Sequence, residues 1–238
     1  MILLRYSKTL IQANCYIAAV AGSPRVLIVD PGAGSAAWVH HTMEERGWSP
    51  AAVLLTHGHA DHVWDSALVA QNAPVYVPRP DLYRLDDPAT TTAAFAGAFV
   101  EASGHEWIRP DTARELPAGF FQGGGSEIVP GIWLRAVPAP GHTEGSTVFL
   151  FSGPIENDDA PEHDPESSLM FTGDVLFRDG VGRTDLPGGS SEAMRESLRT
   201  LAQVIAPSTV FFPGHGESSS FGRELEHSPI LRQMLYRW

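Results

Sequence analysis

Short apolar runs separated by turn residues fill the first third of the chain. Ile2 to Tyr6, Asn14 to Val20 and Arg25 to Asp30 are dense in Val, Ile, Leu and Tyr, which predicts three strands. Ala21-Gly22-Ser23-Pro24 is a turn between the last two, and Pro31 to Gly34 stops the third. Ser35 is placed to cap a helix through Met43 to Arg46, which Gly47 and Pro50 end. A further apolar strand at 51–55, a short helix carrying Val63, Trp64, Leu68 and Val69, and the run Val75-Tyr76-Val77 follow. In the second half Ile132–Val137, Thr147–Phe151, Ser168–Thr172 and Thr209–Phe212 read as strands. Ser191 to Ile205 holds a 3.6-residue period through Met194, Leu198, Leu201 and Ile205, with Glu192 at the N-terminal end and Pro207 as a stop, so it predicts an amphipathic helix.

Residues from about 79 to 127 are the least patterned. Such a length inside a compact domain should carry structure of its own. Asp87-Pro88 can start a helix and Gly104 can end it, which puts Phe95 and Phe99 one turn apart on an apolar face. Two roles suit this insertion: a lid or wall over a site, or a packing or dimer-contact element. The acidic, proline-containing stretch Ile155 to Glu166, with His163 inside it, reads as a solvated loop.

Composition narrows the classes. The 238 residues suit one large domain, taken as 1–238 with an insertion at about 79–127. Hydrophobic content of 43% and charged content of 18% describe a globular protein. A net charge of −12 and the lack of any Lys/Arg run argue against general nucleic-acid binding and against anionic membrane surfaces. The one cysteine, Cys15, lies among apolar strand residues and reads as packing, compatible with a reducing compartment. The N-terminal apolar run is broken by Arg5 and Lys8 before a signal-peptide core develops, and no apolar stretch approaches spanning length. The expectation is a cytoplasmic protein, and a homo-oligomer is compatible with the sequence.

The candidate chemistry sits after the strand at 51–55. Thr56-His57-Gly58-His59-Ala60-Asp61-His62 packs three imidazoles and a carboxylate into one turn-sized segment, and these are the usual protein ligands of zinc and related divalent metals. With residues 57 to 59 extended, His57 and His59 point the same way and can grip one ion; Asp61 and His62, past the bend, face a second position. His40 and His41, adjacent on a helix, read as solvated surface instead. The same grammar recurs: apolar strands end at His142, at Asp174 and at His215, each preceded by glycine (Gly141, Gly173, Gly214). Strand-end loops of one architecture tend to meet at one edge, so five His and two Asp are available for two metals.

HGHADH and the later GH, GD and GH loops, in this order, resemble the metallo-β-lactamase superfamily, and the resemblance covers nearly the whole chain. It implies an α+β fold, an αββα sandwich of two mixed sheets flanked by helices. It implies that His57, His59 and His142 bind a first metal, that Asp61, His62 and His215 bind a second, and that Asp174 bridges them. Within the superfamily, NCYIA, PGHTEGS, TGDVLF, GRTDLPGG and FPGHGES resemble the glyoxalase II-like hydrolases, which cleave thioesters such as S-lactoylglutathione. Asp174 in the bridging position, rather than cysteine, speaks against the best-known zinc β-lactamases, and His59 rather than Glu against flavodiiron oxidoreductases. Little sequence follows His215, so a counterpart of the helical domain with which glyoxalase II helps bind glutathione is not expected.

The resemblance therefore implies a binuclear hydrolase of small acyl substrates, thioesters first. Its cofactors are two divalent ions, zinc ahead of iron or manganese, and a hydroxide held between them attacks the thioester carbonyl. Asp61 and Asp174 are the candidate catalytic carboxylates, Asp61 a ligand first. Phe177 and Arg183 are candidate substrate contacts, although Arg183 is more readily the ion-pair partner of Asp185. The alternatives are a mononuclear-iron persulfide dioxygenase, whose relatives carry similar HxHxDH and GRTD segments, a lactonase, and a scaffold without catalysis.

Overall fold

A computed structural model describes residues 1–92, 96–153 and 168–236. Strands β1 (Ile2–Tyr6), β2 (Cys15–Ala19), β3 (Arg25–Val29), β4 (Ser49–Leu54), β5 (Val75–Val77) and β6 (Ala113–Glu115) build one six-stranded sheet in that order. The second sheet begins with β7 (Ser126–Val129), β8 (Ile132–Pro138), β9 (Thr147–Ser152) and β10 (Leu169–Gly173). A small ribbon of β11 (Leu176–Phe177) and β12 (Gly180–Val181) leaves it, and β13 (Val210–Pro213) and β14 (Ser219–Ser220) complete it. Both sheets are mixed: β3, β4, β5 and β6 are parallel neighbours in the first, β10 and β13 in the second.

Strand alternation assigns each residue its layer. Leu3, Tyr16, Ala18, Leu27, Val29 and Leu54 face Leu134, Phe149, Phe151, Phe171 and Phe212 of the other sheet in a shared inner core. The intervening positions Cys15, Ile17, Ile28 and Val53 point outward onto Val39 and Met43 of α1 (Ala36–Arg46), with Val63 of α2 (Ala60–Val63) and Val69 of α3 (Ser66–Ala70). Val148, Leu150, Met170 and Phe211 do the same on the far side, against helices that close the other face. The arrangement is the expected αββα sandwich, and Cys15 is a buried packing residue within it. Each fully buried Phe or Leu of these layers contributes about 1.5–3 kcal/mol.

Several local expectations are corrected. Ser35 makes no capping hydrogen bond; the Asp65 carboxylate instead accepts from the Gly34 and Ala36 amides at 3.0 and 2.7 Å. Asp65 is free for this because the helix after the histidine loop is split into α2 and α3 around it. The insertion helix is realised as α4 (Pro88–Thr92) and α5 (Ala96–Ser103), with Gly104 left-handed after it. Phe99 is fully buried and stacked on Trp64 at 5.0 Å, so this part of the insertion packs behind the histidine loop. Phe95, His163 and the acidic loop Ile155 to Glu166 lie outside the described residues.

The predicted amphipathic helix is α6 (Ser191–Val204), capped by the Ser190 side chain, which accepts from the Ala193 amide. Beyond His215 the chain forms β14, α7 (Phe221–His227) and α8 (Pro229–Tyr236), and Phe221 and Leu231 are buried in the same cluster as Leu198 of α6. Among the described residues no helix is long and apolar enough to cross a membrane.

Candidate metal centre

Topology brings the four ligand-type loops together. β8 is antiparallel to β9, β9 to β10, and β10 is parallel to β13, so the C-terminal ends of β8, β10 and β13 share one edge. His142, Asp174 and His215 follow those ends. The segment after β4 joins them across the sandwich through the Thr147 amide, which donates to the Thr56 carbonyl at 3.0 Å. The final loop is pinned by the NCY segment. The Asn14 side chain donates to the carbonyls of Pro213 and Gly216, both at 2.9 Å, and the Tyr16 hydroxyl to Pro213 at 2.7 Å.

His57, His59 and His142 form the first cluster, with one ligand atom from each lying within 4.8 Å of the others. His59 Nδ1 and His142 Nε2 are 2.8 Å apart. His142 is oriented by the Arg183 carbonyl, which accepts from its Nδ1 at 2.8 Å and leaves Nε2 facing inward. His57 is oriented by a relay: its Nδ1 lies 3.0 Å from the Thr56 hydroxyl, which donates to Asp30 Oδ2 at 2.7 Å. His57 Nε2 and His59 Nε2 are buried without a hydrogen-bond partner. Burial first, then the neighbouring imidazoles, holds His57 well below the usual histidine range and His59 down to about 3. Both rings are therefore neutral lone-pair donors at neutral pH.

Asp61, His62 and His215 form the second cluster. His62 Nε2 lies 3.3 Å from His215 Nε2 and 3.4 Å from Asp61 Oδ2, and His215 Nε2 lies 3.2 Å from that same oxygen. His62 Nδ1 donates to Asp30 Oδ2 at 3.1 Å, which fixes the ring and turns Nε2 to the centre. Burial alone would depress His62, but the Asp61 and Asp174 carboxylates outweigh it and push the ring well above its ordinary value. His215 is raised by the same balance of burial against Asp61 and Asp174.

Asp174 stands between the two clusters. Its Oδ1 is 3.3 Å from His62 Nε2, while its Oδ2 is 3.5 Å from His215 Nε2 and 3.6 Å from His142 Nε2. Burial would raise this carboxyl, but His62 leads the groups that bring it down to about 2. Gly214 makes room: a Cβ there would lie 2.1 Å from Asp174 Oδ1. All seven sequence-predicted ligand types thus converge. Two buried ring nitrogens without a hydrogen-bond partner, crowded with further imidazoles and two carboxylates, match the donor chemistry of a divalent cation site, zinc or a first-row relative.

Asp30 escaped the sequence reading. It is the buried acceptor for the Thr56 amide, the Thr56 hydroxyl and His62 Nδ1, at 2.7, 2.7 and 3.1 Å. Its signal was present, because Arg25 to Asp30 is itself an apolar strand ending in an acid followed by Pro-Gly. Asp30, His57 and His62 also group as potential ligands, but the carboxylate there is already engaged by these hydrogen bonds, so Asp30 serves as an orienting residue.

The cleft over the cluster has a volume of about 260 Å³ and is lined by Ile11, His59, Asp61, His142, Asp174, Arg183, Leu186 and His215. Arg183 is on its rim, in a bidentate pair with Asp185 at 2.7 Å for both bonds, as the ion-pair reading expected. Phe177 is absent from the lining and packs edge-on against His215, with ring centroids 6.1 Å apart. None of the lining residues comes from the 79–127 insertion, so its described part forms no wall of this cleft.

Two face-to-face sheets carrying a His/Asp cluster at their common edge define a metal-centre protein of the αββα class. The model of the metallo-beta-lactamase superfamily matches residues 9–215, and the chain belongs to that superfamily of metallo-hydrolases. It is 36% identical over 217 residues to a hydroxyacylglutathione hydrolase of Cereibacter sphaeroides, covering 89% of this chain and 67% of that one. Among solved structures it resembles BLEG-1, a B3 metallo-beta-lactamase, at a TM-score of 0.74 and 26% identity, with 96% and 99% of the two chains covered. It also resembles TTHA1623 in a di-iron-bound form, at a TM-score of 0.71 and 28% identity, with 95% and 98% covered.

Proposed function

We propose that the protein is a binuclear metal-dependent hydrolase of small acyl substrates, with thioesters as the substrate class. The observation that carries this reading is Asp174, whose two oxygens face nitrogens of both clusters at 3.3–3.6 Å. His57, His59 and His142 would hold one ion, Asp61, His62 and His215 the other, and Asp174 both; zinc suits this donor set, as do iron and manganese. Bound there, two divalent ions supply a water with a pKa near neutrality and polarise a carbonyl.

The chain's own groups do the rest. The Nδ1 protons of His62 and His142 are held by Asp30 and the Arg183 carbonyl, so neither ring nitrogen is available to a substrate. Asp61, in the cleft lining, is the carboxylate placed to orient the nucleophile and to pass its proton on to the departing thiolate. Ile11 and Leu186 give the cleft apolar sides for an acyl group, and its volume of about 260 Å³ admits the acyl half of a small thioester. The glyoxalase II-like flanks and the hydroxyacylglutathione hydrolase relative support thioesters over other acyl compounds.

The test is a hydrolysis panel of thioesters, lactones, persulfides and a β-lactam, with metal counting on the same sample. Thioester turnover by protein holding two ions is the expected result. Full turnover by metal-free protein, or oxygen consumption with a persulfide by a one-iron protein, refutes the proposal.

A further inference from the structure

The insertion contributes nothing to the cleft lining, yet it places two fully buried charged side chains directly behind the first cluster. Asp81 and Arg84 lie on the 3₁₀ turn Arg79–Asp86, and both side chains are 0% exposed. Asp81 Oδ2 accepts from the Gly58 amide at 2.8 Å and from the Thr143 hydroxyl at 2.7 Å. Its Oδ1 accepts from the Gly145 amide at 2.8 Å and from Arg84 Nε at 3.3 Å. Gly58 separates His57 from His59, and Thr143 follows His142, so one carboxylate holds both loops that supply the first cluster. Arg84 extends the hold, donating through Nη2 to the Pro187 carbonyl at 2.8 Å and to Glu144, and so reaching the segment behind Leu186.

The contact surfaces are fitted on both sides. A Cβ at Gly145 would lie 2.6 Å from Asp81 Cγ, and one at Gly58 would lie 2.7 Å from Arg84 Cβ. Burying a carboxylate and a guanidinium is costly unless their hydrogen bonds are made, so retaining such a pair is worth explaining by what it orders.

We infer that Asp81, backed by Arg84, is a positioning residue that sets the spacing between His59 and His142 and thereby the affinity of the first metal site. This rests on the metal-centre reading above. Among the described residues the Asp81 side chain bonds to Arg84 and to Gly58, Thr143 and Gly145, which flank His57, His59 and His142, so its effect is expected chiefly at that site. In Asp81→Asn a single oxygen remains for four donors, and the amide NH2 faces either the Gly58 amide and the Thr143 hydroxyl in place of Oδ2, or the Gly145 amide and Arg84 Nε in place of Oδ1. Partners that orient metal ligands typically govern affinity by about 10- to 100-fold, and that loss is expected at the first site while the second binds as in wild type. Thr143→Val, which removes one hydroxyl donor without changing the side-chain outline, should give the same selectivity with a smaller loss of roughly 10-fold.

Zinc affinities of both sites, measured by competition with a chelating dye, are compared for full-length wild type, D81N and T143V, alongside the unfolding midpoint of each metal-free protein. Selective weakening of one site, with the other unchanged, supports the inference; if D81N does not fold, T143V decides in the same way. Wild-type-like binding of both ions by these variants, or equal weakening of both sites, overturns it. A wild type that takes up no zinc, iron or manganese removes the proposed function and this inference together. Two ions in wild type and two equally tight in the variants remove the inference alone.

Discussion

Asp30→Asn is the sharpest probe of the centre, because one atom changes and both clusters should respond. Asp30 Oδ1 accepts from the Thr56 amide at 2.7 Å; Oδ2 accepts from the Thr56 hydroxyl at 2.7 Å and from His62 Nδ1 at 3.1 Å. In the variant the remaining oxygen satisfies the amide, and an NH2 group replaces Oδ2. The Thr56 hydroxyl must then turn and donate to His57 Nδ1, which lies 3.0 Å away, and His62 Nδ1 must accept rather than donate. Both rings change tautomer, and each carries its proton on the inward Nε2 that a metal needs bare. Reversing each tautomer forfeits a buried hydrogen bond, about 1–3 kcal/mol per ring, which corresponds to roughly 10- to 100-fold weaker binding at each site. Dye competition with zinc reads both constants, and the unfolding midpoint of the metal-free variant reports any general damage. Undiminished affinity at either site would show that Asp30 does not control the ring it touches.

Other expectations follow from the same geometry. Asp174→Ala should remove the group shared by both clusters, so bound metal and thioester turnover should fall together; metal content by plasma emission and steady-state rates check this. Gly214→Ala puts a methyl 2.1 Å from Asp174 Oδ1, and the variant should fold with a displaced carboxylate and lose turnover by at least about 10-fold, as rates on metal-loaded protein would show. Metal-free protein should be most stable near pH 6.5. Below that value the unfolded chain protonates histidines that the fold keeps neutral, His59 down to about 3, and this one group costs about 1.4 kcal/mol per pH unit. Above it the opposite sign applies, because the raised His62 and His215 lose their contribution as pH climbs through their folded values. Urea midpoints in the presence of a chelator that rise steadily from about pH 5 to 8 would contradict this balance.

The parts of the fold legible in the sequence were those ruled by local pattern. Every strand at least five residues long was legible, because a strand buried on both faces is a continuous apolar run bounded by turn residues, and α6 was visible through its 3.6-residue period. The ligand types were legible because metal chemistry restricts them to His and Asp at strand ends. The short strands β6, β7 and β14 carried too few residues for a pattern, and α7 and α8, at 7 and 8 residues, are too short for a helical period to stand out. The groups behind the ligands were harder. Asp81 and Arg84 are three residues apart in an unpatterned segment, and only the folded chain shows Asp81 bonded to loop residues 23 and 62 positions away. The described residues of the insertion pack, Phe99 against Trp64, while the cleft lining comes from elsewhere, Ile11, Arg183 and Leu186 included.

The division of the chain between its sheets has a mechanical side. Strands up to Glu115 belong to one sheet and strands from Ser126, apart from the β11–β12 ribbon, to the other, while the cluster takes His57, His59, Asp61 and His62 from the first half and His142, Asp174 and His215 from the second. An ion in this position is a rivet through the seam of the sandwich. Its grip would add to the apolar interface without occupying any of it. Occupancy would then govern how far the halves unfold as one cooperative unit, so loading the centre would also fasten the molecule around it.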